Sequence, residues 1–267
     1  METRAGYINT GSWSDKAIKE AKLFGEVVEM ASSKSANFNY IPKELNAIGD
    51  LDYIHLTTNN TIFGTQFHNI PVLSPPLVAD MSSDLFSRPL DYSRFGLFYA
   101  GAQKNLGPAG TTLIIVDINL LGKVTRSVPS MMDYSLQIAK DSMFNTPPVF
   151  PIYTSLLNMR WIVKQGGLEA VGKANAAKAK LLYDEIDRNA AFEGFAAVED
   201  RSMMNATFNL TDEDTAASFD ALWNAAGISG LKGHRSVGGY RASMYNALPI
   251  ESVELLVEVM KEFERTK

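Results

Sequence analysis

Apolar positions along this chain follow two rhythms. The stretch Asp52-Tyr53-Ile54-His55-Leu56-Thr57-Thr58 alternates and is rich in β-branched and aromatic side chains, which predicts a strand running into the polar turn Asn59-Asn60-Thr61-Ile62-Phe63-Gly64. Apolar runs at Leu77 to Asp80, Gly96 to Ala100 and Thr111 to Val116 predict three more strands. Their density of apolar residues suggests cover on both faces, as in an α/β sheet. Elsewhere the period lengthens. Gly11-Ser12-Trp13-Ser14-Asp15 precedes Ala17, Ile18, Ala21 and Phe24, a helical recurrence with Ser14 or Asp15 as candidate N-cap. Ile152, Leu156, Met159 and Ile162-Val163 recur at helical spacing up to Gly166-Gly167, a pair that ends the helix and makes a natural domain boundary. A second long helix is predicted from Leu168 to about Asn189, followed by a strand over Met203 to Leu210 and a helix from Asp214 to Ala226. A strand near Tyr240 to Tyr245 and an amphipathic helix from Pro249 to Phe263, with Val253, Leu256, Met260 and Phe263 on one face, close the pattern. The expected architecture is an α/β domain with a mostly parallel sheet over 1–166 and a smaller α+β domain over 167–267.

Composition narrows the function classes. The chain has 267 residues, 46% of them hydrophobic, and a formal charge of -5, which describes a globular protein and argues weakly against nucleic acid as the main partner. It contains no cysteine, so disulfides and thiolate metal sites are excluded, as is any mechanism that needs a catalytic Cys. With three histidines besides, no metal site is expected; His55 and His68 read as packing residues. Met1 to Gly11 has no signal-peptide pattern and no stretch is apolar for long enough to span a bilayer, so the default expectation is a cytoplasmic protein with no membrane partner.

The candidate chemistry lies where strands end. Phe98-Tyr99-Ala100-Gly101-Ala102-Gln103-Lys104-Asn105-Leu106-Gly107-Pro108-Ala109-Gly110 is an apolar strand entering a small-residue turn with one lysine. Held near the backbone and partly out of water, Lys104 has its charged form disfavoured, leaving a nucleophilic amine able to form a Schiff base. Pro76-Leu77-Val78-Ala79-Asp80 is a short strand ending in an acid. A pyridoxal phosphate enzyme needs both a lysine for the aldehyde and an anion beside the ring nitrogen, and Lys104 with Asp80 could fill those posts. Taken alone, the same letters fit a surface lysine on a turn and an Asp capping a helix.

Further along, Ser142-Met143-Phe144-Asn145-Thr146-Pro147-Pro148 is a loop by its double proline, with an amide and a hydroxyl able to donate to a phosphate. Lys232-Gly233-His234-Arg235-Ser236-Val237-Gly238-Gly239-Tyr240-Arg241 gathers cations around glycines, the best candidate in an acidic chain for an anionic substrate. An ordinary turn and a solvated basic loop fit these two segments equally.

The lysine segment, together with Gly11-Ser12-Trp13, Asn59-Asn60-Thr61, Asp80 with Ser87-Arg88-Pro89, the 142–148 loop and the 233–243 segment, resembles the phosphoserine aminotransferases in order and in register. These are class V, fold type I enzymes dependent on pyridoxal 5'-phosphate. The resemblance extends from about Gly6 to the C-terminus and implies an amino transfer from L-glutamate to 3-phosphohydroxypyruvate, giving O-phospho-L-serine and 2-oxoglutarate. Some relatives also take a phosphorylated hydroxythreonine of pyridoxine biosynthesis. It assigns Lys104 to the cofactor aldehyde and to proton transfer, Asp80 to the ring nitrogen, Trp13 to the ring face and Thr61 to the ring hydroxyl oxygen, while Gln103 helps to position the cofactor. Asn145 and Thr146 are assigned to the cofactor phosphate of a partner in a homodimer with shared sites, Arg241 to the substrate α-carboxylate, and His234 with Arg235 to the substrate phosphate. Family members carry a segment ahead of the point matching Met1, including a Gly-rich phosphate turn. The alternative expectation is therefore a truncated, catalytically impaired chain that keeps the fold and dimer surface, poorly soluble and weak in cofactor binding when expressed alone.

Overall fold

A computed structural model of the chain describes residues 3–46, 49–124 and 126–266. Its first part is a six-stranded sheet made by β1 (Arg4–Asn9), β2 (Glu26–Ser32), β3 (Tyr53–Thr57), β6 (Leu77–Asp80), β7 (Phe95–Gly101) and β8 (Thr112–Val116), in the spatial order β2-β1-β3-β6-β7-β8. All neighbours are parallel except β8, which runs antiparallel to β7. A two-stranded ribbon, β4 (Asn59–Asn60) with β5 (Thr65–Gln66), stands where the sequence predicts a plain turn.

One face of the sheet supplies Ile8, Ile54, Leu56, Leu77, Ala79, Phe98 and Ala100 to a buried apolar cluster. The opposite face at β1 is covered by α1 (Ser12–Ala21), whose Ala17, Ile18 and Ala21 pack against Ala5, Tyr7, Val27 and Tyr53. The helix begins one turn earlier than its expected caps. Gly11 is the N-cap, and the Ser14 hydroxyl reaches back to accept from the backbone N–H of Gly11 at 2.9 Å and of Thr10 at 2.9 Å. Ser14 thus satisfies orphan donors of the first turn from inside it rather than from in front.

Helices α2 (Tyr134–Ala139) and α3 (Val149–Lys164) lead to α4 (Gly167–Arg188), which buries Val171, Ala179, Leu182 and Ile186. The last part of the chain builds a second core: a three-stranded antiparallel sheet, β11-β10-β9 (Tyr240–Ser243, Asn205–Leu210, Phe192–Gly194), with α5 (Ala216–Ala225) and α6 (Ile250–Thr266). Phe192, Phe208, Phe219, Tyr240 and Phe263 meet there with ring centroids 5.0–5.7 Å apart. Val253, Leu256, Met260 and Phe263 of α6 all enter this core, as their spacing predicts.

Two apolar patterns are left largely uncovered in this chain, and for β8 this differs from the expected burial on both faces. The apolar recurrence on α3 does not face a core: Ile152, Leu156, Met159 and Val163 are exposed, and only Ser155 and Ile162 are buried. Strand β8 is an edge strand with Ile114 and Ile115 exposed, rather than a strand covered on both faces. Apolar letters report an affinity for burial without saying what supplies it.

The two parts are stitched by amide side chains. Asn175 of α4 donates to the Ser87 carbonyl at 2.8 Å and to Asn246 Oδ1 at 2.8 Å, and Asn246 donates to the Phe86 carbonyl at 3.0 Å. The Asn246 backbone N–H in turn donates to Asn105 Oδ1 at 3.0 Å. Lys178, buried on α4, donates to the carbonyls of Met244, Tyr245 and Leu248 at 3.2, 2.8 and 3.0 Å. Burial without a carboxylate partner pulls its amine down to about 8.

Candidate active site

In an open parallel sheet the C-terminal ends of the strands point to one crevice. Four predicted groups arrive there from four strand ends: Trp13 after β1, Thr61 after β3, Asp80 at the last position of β6, and Lys104 in the turn after β7. Asp80 and Tyr99 are paired across β6 and β7, so the acid and the lysine turn are neighbours through the backbone register.

The lysine turn is held from three sides. Leu106 and Gly107 donate backbone N–H bonds to the Ala102 carbonyl at 3.1 and 2.7 Å, closing it. Asn158 of α3 donates to the carbonyls of Asn105 and Leu106 at 2.6 and 3.1 Å. The Asn105 side chain, buried, accepts from Asn246 as described. Gly107 lies so close to α3 that a Cβ there would come within 2.6 Å of Ser155 Oγ, which explains the small residue. The backbone around Lys104 is fixed, while its side chain is half-buried with Nζ 5.8 Å from the Trp13 ring centroid. Burial lowers the pKa of this amine from the ordinary lysine value and the Arg241 charge adds to the effect, whereas Asp80 and Asp84 oppose it.

Trp13 presents its indole at the mouth of the site, 40% exposed, and its Nε1 donates to Thr61 Oγ1 at 3.0 Å. Accepting that bond leaves the Thr61 hydroxyl proton available as a donor. The Asp80 carboxylate takes a bond from the Ser82 backbone N–H at 2.9 Å on Oδ1, and the Ser82 hydroxyl accepts from Gly101 N at 3.2 Å. Ser82 therefore ties the acid to the start of the lysine turn, a role its letters did not announce. Asp84 is a second carboxylate behind the site, fully buried, bonded by the Thr58 hydroxyl and by Gln66 Nε2 at 3.0 Å; burial raises its pKa.

Arg241, on β11 of the second core, reaches this cluster. Its Nη1 donates to the Thr61 carbonyl at 3.0 Å, and its Nε is buried with no hydrogen-bond partner among the described residues. A buried N–H left open on a guanidinium edge fits a carboxylate ligand. The rest of the basic segment divides. Lys232 is spent on Asp220 at 2.5 Å and lies 4.9 Å from the Tyr240 ring centroid, so it belongs to the core edge and not to an anion site. His234 bonds the Ser236 hydroxyl through Nδ1 at 2.7 Å, in a turn closed by the N–H groups of Val237 and Gly238 on its carbonyl. Arg235 is exposed on that turn. Gly238 and Gly239 have φ of 80° and 60°, the left-handed region that lets the segment double back to β11.

Gln103 is exposed, with its amide folded against Gly101. Asn145 and Thr146 stand exposed on the loop between α2 and α3, and among the described residues neither is hydrogen-bonded to the Lys104 cluster. His68 donates from Nε2 to the Arg201 carbonyl at 2.9 Å and is a packing residue, as its context suggests.

An amine whose charge is disfavoured by burial, a hydroxyl with its proton unspent, an aromatic face and a carboxylate on neighbouring strand ends suit a planar aldehyde cofactor with a basic ring nitrogen. Comparison with known proteins agrees. Residues 9–256 match the family described as Aminotransferase class-V. The chain is 61% identical over 261 residues to a phosphoserine aminotransferase of Flavobacterium psychrophilum, covering 98% of this chain and 73% of that protein. The chain belongs to the phosphoserine aminotransferase family. The solved phosphoserine aminotransferase of Bacillus circulans subsp. alkalophilus superposes with a TM-score of 0.95 at 47% identity, covering 99% of this chain and 74% of the other. One from Trichomonas vaginalis, solved with pyridoxal phosphate bound, gives 0.91 at 37% identity, covering 97% and 76%. No helix among the described residues is long and apolar enough to cross a membrane.

Proposed function

We propose that this chain transfers an amino group between L-glutamate and 3-phosphohydroxypyruvate, giving O-phospho-L-serine and 2-oxoglutarate, with pyridoxal phosphate as cofactor. The observation that carries the reading is Lys104, its charge disfavoured by burial, facing Trp13 beside Asp80 on converging strand ends. The cofactor, when bound, supplies the electron sink that lets the bond to the substrate Cα hydrogen break.

Each residue then has a physical task. Lys104 would hold the cofactor aldehyde, and its amine could carry a proton at the substrate Cα. Asp80, with Oδ1 held by Ser82, would supply the anion that keeps the pyridine nitrogen protonated. Trp13 would offer its face to the ring and Thr61 its hydroxyl proton to the ring hydroxyl oxygen, with Gln103 bordering the same space from the lysine turn. Arg241 receives the α-carboxylate on its open Nε edge, and His234 with Arg235 receives the substrate phosphate. The sheet domain, 1–166, is the cofactor platform, and 167–267 presents the substrate cations. The assembly of these side chains supports a working transaminase over an impaired remnant.

The finer reading adds a homodimer, a cytoplasmic location and a second substrate in pyridoxine synthesis. Support for the homodimer is the apolar surface of α3, where Val149, Phe150, Ile152 and Tyr153 are exposed next to the Asn145-Thr146 loop. A partner seated on α3 would receive that loop's amide and hydroxyl at its own cofactor phosphate. Sedimentation over a range of concentrations is expected to show a dimer that Phe150→Asp dissociates; an unchanged mass for the variant contradicts this surface. The activity itself is tested by following 2-oxoglutarate formed from glutamate and 3-phosphohydroxypyruvate by the cofactor-loaded protein. Turnover with unphosphorylated hydroxypyruvate at the same efficiency would remove the phosphorylated substrate from the reading.

A further inference from the structure

The sheet face that carries Asp80 also carries a buried polar group without a task so far. Residues paired across parallel strands share a face, and the register aligns Tyr7 with His55, His55 with Val78, and Thr57 with Asp80 and Tyr99 in the next row. His55 and Tyr99 sit on strands separated by β6, yet they meet: His55 Nε2 lies 3.1 Å from the Tyr99 hydroxyl. They join above β6, His55 from the row before Asp80 and Tyr99 from the row of Asp80 itself. The imidazole stacks on Tyr7 with centroids 5.0 Å apart and planes 25° apart, and Tyr7 shares a 3.2 Å hydroxyl contact with Tyr53.

His55 is buried and its Nδ1 has no hydrogen-bond partner among the described residues. For packing alone a phenylalanine would fill this aromatic stack without an unsatisfied nitrogen, so the imidazole is an expensive choice. The charge acting on it is that of Asp80, which favours the imidazolium; burial outweighs that pull and keeps the ring neutral, with a pKa down at about 4. The other ionisable groups around the pair are phenols: Tyr7 from β1, Tyr53 from β3 and, beside Tyr99, Tyr134 from α2. Among the described residues the groups named around the pair are thus phenols and Asp80 itself, with no cation.

We infer that His55 and Tyr99 form a positioning pair for Asp80, a neutral hydrogen-bonded bridge over β6 that walls the carboxylate on its sheet-ward side and leaves the pyridine nitrogen as its partner. The inference rests on the proposed role of Asp80. Neither residue touches the cofactor; both act through the acid.

A double-mutant cycle on pyridoxal phosphate affinity tests it, with the cofactor-loaded protein titrated by absorbance and unfolding followed by calorimetry. Tyr99→Phe keeps the ring and removes only the hydroxyl, and is expected to weaken cofactor binding about tenfold, the effect of losing the one hydrogen bond that holds the pair together beside Asp80. His55→Phe should match it, and the two together should cost no more than either. In an Asp80→Asn background both changes should become silent, because the charge they serve is gone. If Tyr99→Phe leaves affinity unchanged, or loses the same factor with Asp80→Asn as without it, the pair is structural and the inference fails while Asp80 keeps its role. If Asp80→Asn alone binds as tightly as the parent, the role of Asp80 falls and this inference with it. Should His55→Phe not fold, Tyr99→Phe decides alone.

Discussion

Lys104→Ala is expected to abolish transamination, by at least about 10⁴-fold, since proton transfer alone contributes roughly 10² to 10⁴ and the covalent link is lost as well. Lys104→Arg should fail to the same extent. It restores the charge at the turn but offers a guanidinium that stays protonated, whereas this site lowers the lysine pKa by burial and by the Arg241 charge. Folding should survive in both variants, because the turn is held by Asn105, Asn158 and the Ala102 carbonyl, none of which depends on the Lys104 side chain. Borohydride reduction of the loaded parent followed by peptide mapping should mark Lys104 alone. A label on another lysine, or turnover by Lys104→Ala within tenfold of the parent, would overturn the assignment. Lys178 is the informative control: its pKa too is lowered by burial, to about 8, but its Nζ is committed to three carbonyls and faces no cofactor space.

The strands ending in Thr57, Asp80 and Gly101 were legible because alternation and apolar density are local properties, and the turns that follow them hold most of the site. Strand β1 was not. Its run Arg-Ala-Gly-Tyr-Ile-Asn is interrupted by Gly6, and the reason is tertiary: a Cβ there would fall 2.6 Å from Met30 Sδ and 2.8 Å from Leu51 Cδ1. The exposed faces of α3 and β8 show the opposite case, apolar patterns that announce burial without a buried environment in this chain. Within the basic segment the letters could not distinguish Lys232, which Asp220 neutralises, from Arg241, which crosses to Thr61 180 residues away. Lys104 and Asp80 were candidates from their letters, the roles of Trp13 and Arg241 came from family resemblance, and the fold places those four around one crevice. Ser82 and His55 had no signal at all, since a serine that orients an acid and a histidine that fills a stack look like any others until the register is known.

The second large effect concerns how the two arginines divide the substrate. Arg241→Ala should reduce kcat/KM for every amino and keto acid tested, phosphorylated or not, by about 10 to 100-fold for the lost charged hydrogen bonds. A further loss is expected in cofactor affinity, because Arg241 Nη1 braces the Thr61 carbonyl and Thr61 in turn accepts from Trp13 Nε1. Removing one guanidinium therefore loosens both the ring face and the hydroxyl donor. Arg241→Lys keeps a charge but cannot brace Thr61 and present an open edge at once, so it should recover little. Arg235→Ala should behave differently. Arg235 is exposed on the His234 turn, with no hydrogen bond to the Lys104 cluster among the described residues, so cofactor affinity should be unchanged. Its loss should fall on phosphorylated substrates alone, again about 10 to 100-fold, and should shrink as salt is raised because an exposed charge is screened. His234→Ala should show the same selectivity with a smaller effect, its Nδ1 being already engaged by Ser236. Steady-state kinetics with 3-phosphohydroxypyruvate and hydroxypyruvate, run beside cofactor titrations, separate the two patterns. Equal losses from Arg235→Ala on both substrates, or an Arg241→Ala variant that binds pyridoxal phosphate as tightly as the parent, would refute this division of labour.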